Sequence, residues 1–204
     1  MTGRSPFSAV VLAGGSSSRM GCDKANLPWQ GGTLLERQVT LVQSLRPAEV
    51  FVSVREGARY GGVKVPLLWD RFPDSGPLAG IERGLEAAST GLLLVVAVDL
   101  PALTVEFLDR LLGHCNERTG AVPVWQGQWE PLVAVYPKRC HALAVDLLVR
   151  CRPAARLFAE RCWNEGAIRR WTVSEAEGVC LRNCNTPEEW RAAQDGPRTP
   201  AGQT

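Results

Sequence analysis

Short, almost uninterrupted apolar runs are the feature that most constrains the fold of this 204-residue chain. Residues 7–13 (FSAVVLA) stop at two glycines, and residues 92–98 (LLLVVAV) stop at Asp99. Runs of this length are typical of strands that are buried on both faces, as in a parallel sheet. Two further strands are predicted over residues 49–54 and 63–68, and the second of these leads into a polar loop.

Amphipathic segments separate these strands and are predicted to be helices. The first covers residues 34–45, where Thr33 can cap the start and Pro47 follows the end. Two more are predicted over residues 78–88 and 105–115. The order β-α-β-β-α-β-α predicts an α/β fold, a Rossmann-like three-layer α/β/α sandwich with a mostly parallel central sheet. In such sheets, ligands bind at the carboxyl ends of the strands.

The second half of the chain is less regular. Residues 121–125 and 132–136 are predicted to be strands joined by the turn QGQWEP, as a hairpin or as a mixed edge of the sheet. The other elements predicted in this half are helices over residues 138–149, 154–163 and 187–193, and a strand over residues 168–173.

Composition limits the classes of protein to which the chain can belong. Residues 1–194 are predicted to form one domain, and residues 195–204, with two prolines, a disordered tail. The net charge of +2 provides no basic surface for nucleic acid. No apolar segment reaches the ~20 residues of a membrane span, and the N-terminus lacks the apolar region of a signal peptide. We therefore expect a cytosolic protein that binds neither nucleic acid nor membrane.

The seven cysteines are predicted to be reduced thiols. Their number is odd, their spacing is irregular and no CxxC pair occurs. His114 adjoins Cys115 and His141 adjoins Cys140, but neighbouring residues seldom point at one ion. A metal site at either pair is therefore not expected.

The polar loop after the first strand, LAGGSSSRMGCDKA (residues 12–25), has the composition of an anion-binding site. Its glycines Gly14, Gly15 and Gly21 allow backbone N–H groups to converge on phosphate oxygens. Arg19 and Lys24 add two cations that can bind phosphate. The loop lacks the Gly-Lys-Ser/Thr of a P-loop and the GxGxxG of a dinucleotide site, so it predicts a different kind of nucleotide-binding loop.

Asp99 is the second candidate for a functional residue, after the polar loop. A carboxylate at the end of a buried strand needs a cation or hydrogen bonds, because an unpaired buried charge is costly. One interpretation is that Asp99 caps the following helix, for which Thr104 competes. The other is a Mg²⁺ ligand, since Mg²⁺ takes one or two protein carboxylates together with substrate phosphates and water.

Four motifs, in this order, resemble those of the molybdenum cofactor guanylyltransferase family. They are LAGG-x3-RMG-x-DKA, GPLAG (residues 76–80), VDLPALT (98–104) and NCNTPEE (183–189), and the resemblance extends over residues 9–190. It implies a nucleotidyltransferase fold, Mg²⁺ as cofactor, and GTP and Mo-molybdopterin as substrates. The implied reaction joins GMP to the pterin and releases pyrophosphate. Residues 7–118 would then form the nucleotide-binding part and residues 119–194 the pterin-binding part.

The resemblance also assigns roles to individual residues. Catalytic roles fall to Arg19, Lys24 and Asp99, with Asp99 also the metal ligand. Asn183 and Asn185 match the asparagines that hold the pterin. The implied nucleotide contacts are Leu12, Ala13, Gly14, Gly15, Lys24, Ser53, Asp70, Gly76 and Asp99.

The sequence departs from the family in two places. Ser53 stands where many members have Asn, and one residue fewer separates Arg19 from Lys24 than in some members. Family members have basic residues around the pterin, and the candidates for them in this chain are Arg156, Arg169 and Arg182. Residues 130–132 resemble a family segment that lies near the substrate site.

Other functions stay open at this point. The chain could transfer CMP to the same pterin, or a nucleotide to a sugar or alcohol phosphate. A non-catalytic nucleotide-binding carrier is a third possibility, although the combination of Arg19, Lys24 and Asp99 favours an enzyme. A phosphate nucleophile is already ionised near neutral pH, which is consistent with only two histidines, neither in a motif. Molybdoenzymes or cofactor-delivery proteins are expected to receive the product.

Overall fold

A computed structural model describes residues 4–14, 23–55, 57–58, 60–150, 152–184 and 189–190. The strands are β1 Ser8–Leu12, β2 Pro28–Trp29, β3 Gly32–Thr33, β4 Glu49–Val54, β5 Leu67–Trp69, β6 Leu92–Ala97, β7 Gly120–Trp125, β8 Gln128–Trp129, β9 Val133–Pro137 and β10 Ile168–Thr172. The α-helices are α1 Leu34–Ser44, α2 Pro77–Ala87, α3 Val105–Gly113, α4 His141–Val149, α5 Ala155–Asn164 and α6 Glu175–Gly178. Short 3₁₀ helices cover Lys24–Asn26, Lys138–Cys140 and Val179–Leu181.

The main sheet has the strand order β10-β7-β9-β6-β1-β4-β5, with β8 paired to β7. Strands β5, β4, β1 and β6 are parallel to one another, and β10 is parallel to β7. Strand β9 is antiparallel to both of its neighbours, β6 and β7. The prediction of a mostly parallel sheet is confirmed, and the mixed part lies where the second half of the chain joins it.

Helices cover both faces of this sheet. One buried cluster contains the apolar side chains of α1 and α3, and a second contains those of α2, α4 and α5. Because strand side chains alternate between faces, Val11 of β1 belongs to the first cluster and Val10 to the second. The three-layer sandwich predicted from the sequence is therefore confirmed.

The start of α1 shows how local sequence fixes an element. The Thr33 side chain accepts a hydrogen bond from the backbone N–H of Glu36, and the Glu36 carboxylate accepts one from the backbone N–H of Thr33. This reciprocal pair is a capping box, which satisfies backbone donors that the first turn of a helix leaves without partners. The helix begins directly after Thr33, as predicted.

Two of the predicted elements differ in the structure. The third strand was expected over residues 63–68 but covers Leu67–Trp69, because Pro66 has no N–H to donate to the sheet. Strand β7 turns first into the short strand β8, through Gln126 and Gly127, which both have positive φ. A two-residue turn with two positive φ angles matches the twist of a hairpin, and β9 follows only after it.

Parts of the chain on which predictions were made lie outside the described residues. These include the tail over residues 195–204 and most of the helix expected over residues 187–193, of which Glu189 and Trp190 are described as helical. Among the helices that are described, none combines the length and the apolar character needed to cross a membrane.

Candidate functional site

A cavity of about 250 Å³ opens at the carboxyl ends of the central strands. In the sheet register, Leu12 at the end of β1 pairs with Ser53 on one side and Ala97 on the other. The residues that follow these three positions therefore emerge along one edge. The cavity is lined by Leu12, Ala13, Gly14, Lys24, Ser53, Asp70, Gly76, Pro77, Gly80, Ala97, Val98, Asp99 and Leu132.

This lining includes each nucleotide-contacting candidate that the structure describes, namely Leu12, Ala13, Gly14, Lys24, Ser53, Asp70, Gly76 and Asp99. Gly15, Arg19 and Asn185 lie outside the described residues. Asn183 is exposed and does not line the cavity, but the backbone N–H of the next residue, Cys184, donates to the carbonyl oxygen of Asp99 over 3.0 Å. Asn183 is therefore held close to Asp99.

Lys24 and Asp99 form an ion pair inside the cavity. Their Nζ and Oδ2 atoms are 3.0 Å apart, and the side chains are only 16% and 23% exposed. Asp99 does not cap helix α3, since the Thr104 side chain accepts the hydrogen bond from the backbone N–H of Phe107. With the capping role filled by Thr104, the Asp99 carboxylate is left to bind a cation.

Asp70 is the second carboxylate of the cavity. Its Oδ1 accepts a hydrogen bond from the Ser53 hydroxyl over 3.0 Å. Burial raises the pKa of Asp70, while that hydrogen bond and the nearby guanidinium groups of Arg55 and Arg83 act in the opposite direction. Because Ser53 occupies one oxygen, the other carboxylate oxygen is the one that lies near Gly14.

Helix α2 begins at the rim of the same cavity. Gly76, with a φ of 64°, precedes the helix, and Pro77 occupies its first turn, where no N–H is needed. No acidic residue occurs in that turn. The partial positive charge at a helix start that carries no carboxylate of its own favours the binding of an anion such as phosphate.

Glycine allows α2 to approach the sheet this closely. A Cβ atom at Gly80 would lie 2.4 Å from the Ser53 hydroxyl and 2.9 Å from the Leu12 side chain. At Gly84, one turn later, it would lie 2.9 Å from Val10. Gly14 differs, because a Cβ atom there would lie 3.4 to 3.5 Å from its nearest neighbours. This is an ordinary van der Waals distance, so the surrounding protein leaves room for a Cβ atom.

Sequence reasoning missed several residues near the cavity. The guanidinium of Arg55 donates to the carbonyl oxygen of Gly14, and the Tyr60 hydroxyl donates to the Asp23 carboxylate over 2.6 Å. Both follow strand β4 but belong to no motif. Gly80 was visible as the last residue of GPLAG, and only the packing explains why glycine is needed there.

A buried charged cluster on the α2–α4 side was also missed. The Glu82 carboxylate is fully buried, accepts a hydrogen bond from Arg71 and lies 2.7 Å from Nε2 of His141, and Arg71 also pairs with Glu86. Ligand atoms of Glu82, Glu86 and His141 lie within 4.8 Å of one another, a spacing that fits a divalent metal ion. Arg71 supplies a cation to the two carboxylates of this cluster.

The cysteines the structure describes, Cys115, Cys140, Cys162, Cys180 and Cys184, are free thiols, as expected. The histidine of each adjacent His–Cys pair has a partner elsewhere in the fold. His114 stacks on Trp171, while His141 faces Glu82.

Comparison with known sequences gives the family. Residues 9–164 match the family described as MobA-like NTP transferase domain. A molybdenum cofactor guanylyltransferase from Xanthomonas euvesicatoria is 35% identical over 93% of this chain and 95% of the relative. A probable molybdenum cofactor guanylyltransferase from Opitutus terrae is 34% identical over 91% and 93%, respectively.

Solved structures support the fold. The molybdopterin-guanine dinucleotide biosynthesis protein A from Archaeoglobus fulgidus has a TM-score of 0.72 at 22% identity, covering 92% of this chain and 96% of that one. The 2-C-methyl-D-erythritol 4-phosphate cytidylyltransferase from Thermus thermophilus has a TM-score of 0.69 at 21% identity, covering 93% and 97%. The fold is thus that of the nucleotidyltransferases, and by its sequence the chain belongs to the molybdenum cofactor guanylyltransferase family.

Proposed function

We propose that this protein transfers GMP from GTP to Mo-molybdopterin, forming molybdopterin guanine dinucleotide and pyrophosphate. The observation that carries the proposal is the cavity at the ends of β1, β4 and β6, where Lys24 and Asp99 form an ion pair beside the start of α2. A cation, a carboxylate and a helix N-terminus at one strand edge suit a metal-bound triphosphate.

In the proposed reaction, an oxygen of the terminal phosphate of the pterin attacks the α-phosphorus of GTP. The new P–O bond forms as the bond between the α-phosphorus and the bridging oxygen breaks, and the electron pair leaves with pyrophosphate. The attacking phosphate is already ionised, so no protein base is needed to remove a proton. The task of the protein is to hold two anions together and to balance their charge.

Lys24 is proposed to supply positive charge to the phosphates, together with Arg19 and the backbone N–H groups of Gly14 and Gly15. Once a triphosphate is bound, the Lys24 ammonium can exchange part of its contact with Asp99 for phosphate oxygens. This releases the Asp99 carboxylate for a metal ion. Both side chains keep some exposure to the cavity, which allows that exchange.

Asp99 is proposed to hold Mg²⁺. A carboxylate oxygen is the kind of ligand that Mg²⁺ prefers, and Asp99 lies at the cavity rather than in a helix cap. When bound, Mg²⁺ neutralises charge on phosphate oxygens and makes the α-phosphorus more electrophilic. We assign the divalent ion to this carboxylate, because Arg71 already pairs with both carboxylates of the separate Glu82 cluster.

Ser53 is proposed to act on the nucleotide through Asp70. Its hydroxyl proton is committed to Oδ1 of Asp70, so it orients this carboxylate. The remaining oxygen of Asp70 can accept hydrogen bonds from donors on the nucleotide. Leu12, Ala13 and Gly14 are proposed to contact the base and ribose through backbone groups, and Gly76 lines the cavity at the start of α2.

The second substrate is assigned to the other part of the chain. Residues 7–118 are proposed to bind the nucleotide and residues 119–194 the pterin, with Asn183 and Asn185 as contacts. Leu132, two residues after Glu130, lines the nucleotide cavity, which supports the proposal that the two substrates meet there. Molybdoenzymes or cofactor-delivery proteins are the proposed recipients of the product.

The test is an assay of the purified protein with Mo-molybdopterin, Mg²⁺ and either GTP or CTP. The expected result is pyrophosphate release and a guanine dinucleotide product with GTP, and much slower turnover with CTP. A preference for CTP would instead identify a cytidylyltransferase. Nucleotide binding without pyrophosphate release, with the pterin and with sugar or alcohol phosphates as acceptors, would identify a carrier.

A further inference from the structure

A hydrogen-bonded chain fixes the segment that carries Lys24. The Tyr60 hydroxyl, which comes from the loop between β4 and β5, donates to Oδ2 of Asp23 over 2.6 Å. The other carboxylate oxygen, Oδ1, accepts a hydrogen bond from the backbone N–H of Ala25 over 3.0 Å. Asp23 is therefore bound on both oxygens, by a distant side chain on one and by its own 3₁₀ helix on the other.

This short helix is anchored on its other side by the core. Ala25 is fully buried, and the backbone N–H of Leu27 donates to the carbonyl oxygen of Lys24. The backbone N–H of Leu34, the first residue of α1, donates in turn to Leu27. The backbone of Lys24 is thus held between a buried alanine and a carboxylate that Tyr60 holds in place.

The anchored segment carries the Lys24 ammonium. Lys24 follows Asp23 directly, and its ammonium lies 3.0 Å from Asp99. A shift of Asp23 would therefore tilt the 3₁₀ helix and move the ammonium relative to the phosphates. Tyr60 also lies 3.5 Å from the carbonyl oxygen of Ala13, so it connects the loop after β1 with the segment that returns to α1.

The phenol is suited to a permanent donor role. Burial, together with the hydrogen bond and the negative charge of Asp23, raises the pKa of Tyr60, and the Arg55 guanidinium offsets only part of this. The hydroxyl therefore keeps its proton throughout the pH range in which phosphates are ionised. Its single proton is directed to Asp23.

We infer that Tyr60 is a positioning residue for GMP transfer, which acts through Asp23 to hold the Lys24 ammonium where charge develops on the phosphates. This inference rests on the proposed function. It assigns a role to a side chain that does not line the cavity and that lies outside the four sequence motifs. The Tyr60 ring can stay in place while the hydroxyl is removed, so the role can be tested separately from packing.

The first variant is Tyr60→Phe, which removes only the hydroxyl. We expect kcat for GMP transfer to fall about ten-fold, with the KM for GTP changing much less, because misplaced charge is felt most in the transition state. The second variant, Asp23→Ser, keeps a helix-capping oxygen for Ala25 but is too short to reach Tyr60. Its kcat should fall by a similar factor, and the double variant with Tyr60→Phe should have a kcat little lower than that of either single variant.

A double-mutant cycle with Lys24→Met separates positioning from a general structural role. If Tyr60 acts through Lys24, Tyr60→Phe should cost almost nothing further in kcat in the Lys24→Met background. The same ten-fold loss in both backgrounds would overturn the inference, as would unchanged kcat in Tyr60→Phe. Ser8→Ala is the matched control, since it removes a buried hydroxyl that donates to Glu49 at the opposite end of β1.

The two proposals fail in different ways. A wild-type protein that does not transfer GMP would refute the proposed function. A wild-type protein that does, with Tyr60→Phe, Asp23→Ser and Ser8→Ala all equally active, would refute only the role of Tyr60. Circular dichroism melting of each variant confirms that the fold is retained before rates are compared.

Discussion

Lys24 Nζ lies 3.0 Å from Asp99 Oδ2, although 75 positions separate the two residues in the chain. Lys24 follows the loop after β1 and Asp99 follows β6, and these strands are parallel neighbours in the sheet. Their side chains therefore meet at one strand edge. Before substrate binds, each charge partly satisfies the other, and a metal-bound triphosphate offers both of them new partners.

Removing either member of this pair is expected to suppress catalysis far more than stability. Lys24→Met and Asp99→Asn should each lower kcat for GMP transfer by about 10²–10³, the cost typical of losing one transition-state charge contact. Both side chains line the open cavity, where water can solvate the partner that is left, so the melting temperature should change far less than kcat. Steady-state kinetics and thermal melting measure the two effects.

The control for this prediction is Lys64→Met, the same chemical change at an exposed lysine away from the cavity. It should leave kcat at the wild-type level. Near-wild-type turnover of Asp99→Asn at saturating Mg²⁺ would reject Asp99 as the metal ligand.

The close contact of α2 with the sheet predicts that Gly80→Ala is destabilising. A Cβ atom there would lie 2.4 Å from the Ser53 hydroxyl, so this hydroxyl has to rotate away from Asp70 or the helix has to move. We expect a loss of about 1–3 kcal/mol in the free energy of unfolding, as for overpacked cores, measured by urea denaturation. Because Ser53 orients Asp70, the KM for GTP should rise as well.

Gly113→Ala provides the comparison. Gly113 is the last residue of α3, and a Cβ atom there would meet no atom within 4 Å. Gly113→Ala should therefore be neutral or slightly stabilising. Equal stability of the two variants would contradict the packing argument for Gly80.

Glu130 is expected to make stability depend on pH. Burial raises its pKa from 4.5 in the unfolded chain to about 7 in the folded protein. Between these values the folded state holds a proton that the unfolded state has lost, so raising the pH favours unfolding. Relative to Glu130→Gln, the wild type should lose stability between pH 4.5 and about 7 and then level off.

Urea denaturation of both proteins at several pH values measures this difference. A difference that stays constant, or that grows in favour of the wild type as the pH rises, would show that the carboxyl is not held in its protonated form.

The capping box at Thr33 predicts a purely structural effect. Thr33→Ala removes the acceptor for the Glu36 backbone N–H and should cost about 1 kcal/mol in the free energy of unfolding. Thr40→Ala makes the same change at an exposed position inside α1 and should be neutral or slightly stabilising, since alanine favours helix. Guanidinium denaturation compares the two, and GMP transfer should be retained in both.

The fold was predictable wherever a local pattern carried it. The apolar run of β6 ends at Asp99, and Thr33 with Glu36 marks the start of α1, so both boundaries follow from neighbouring residues. The third strand was predicted too early because a run of apolar residues outweighed the effect of Pro66. The strand order, with β9 inserted between β6 and β7, depends on pairing between distant segments.

The sequence by itself determined that the glycine-rich loop, Asp70 and Asp99 lie at one edge of the sheet, because each follows a strand and the carboxyl ends of parallel strands share one edge. Only the tertiary structure decided how these residues are connected. It paired Lys24 with Asp99, committed Ser53 to Asp70 and brought Tyr60 to Asp23. Such contacts join residues that are distant in the chain, and no local pattern encodes which side chains the folded sheet will bring within hydrogen-bonding distance.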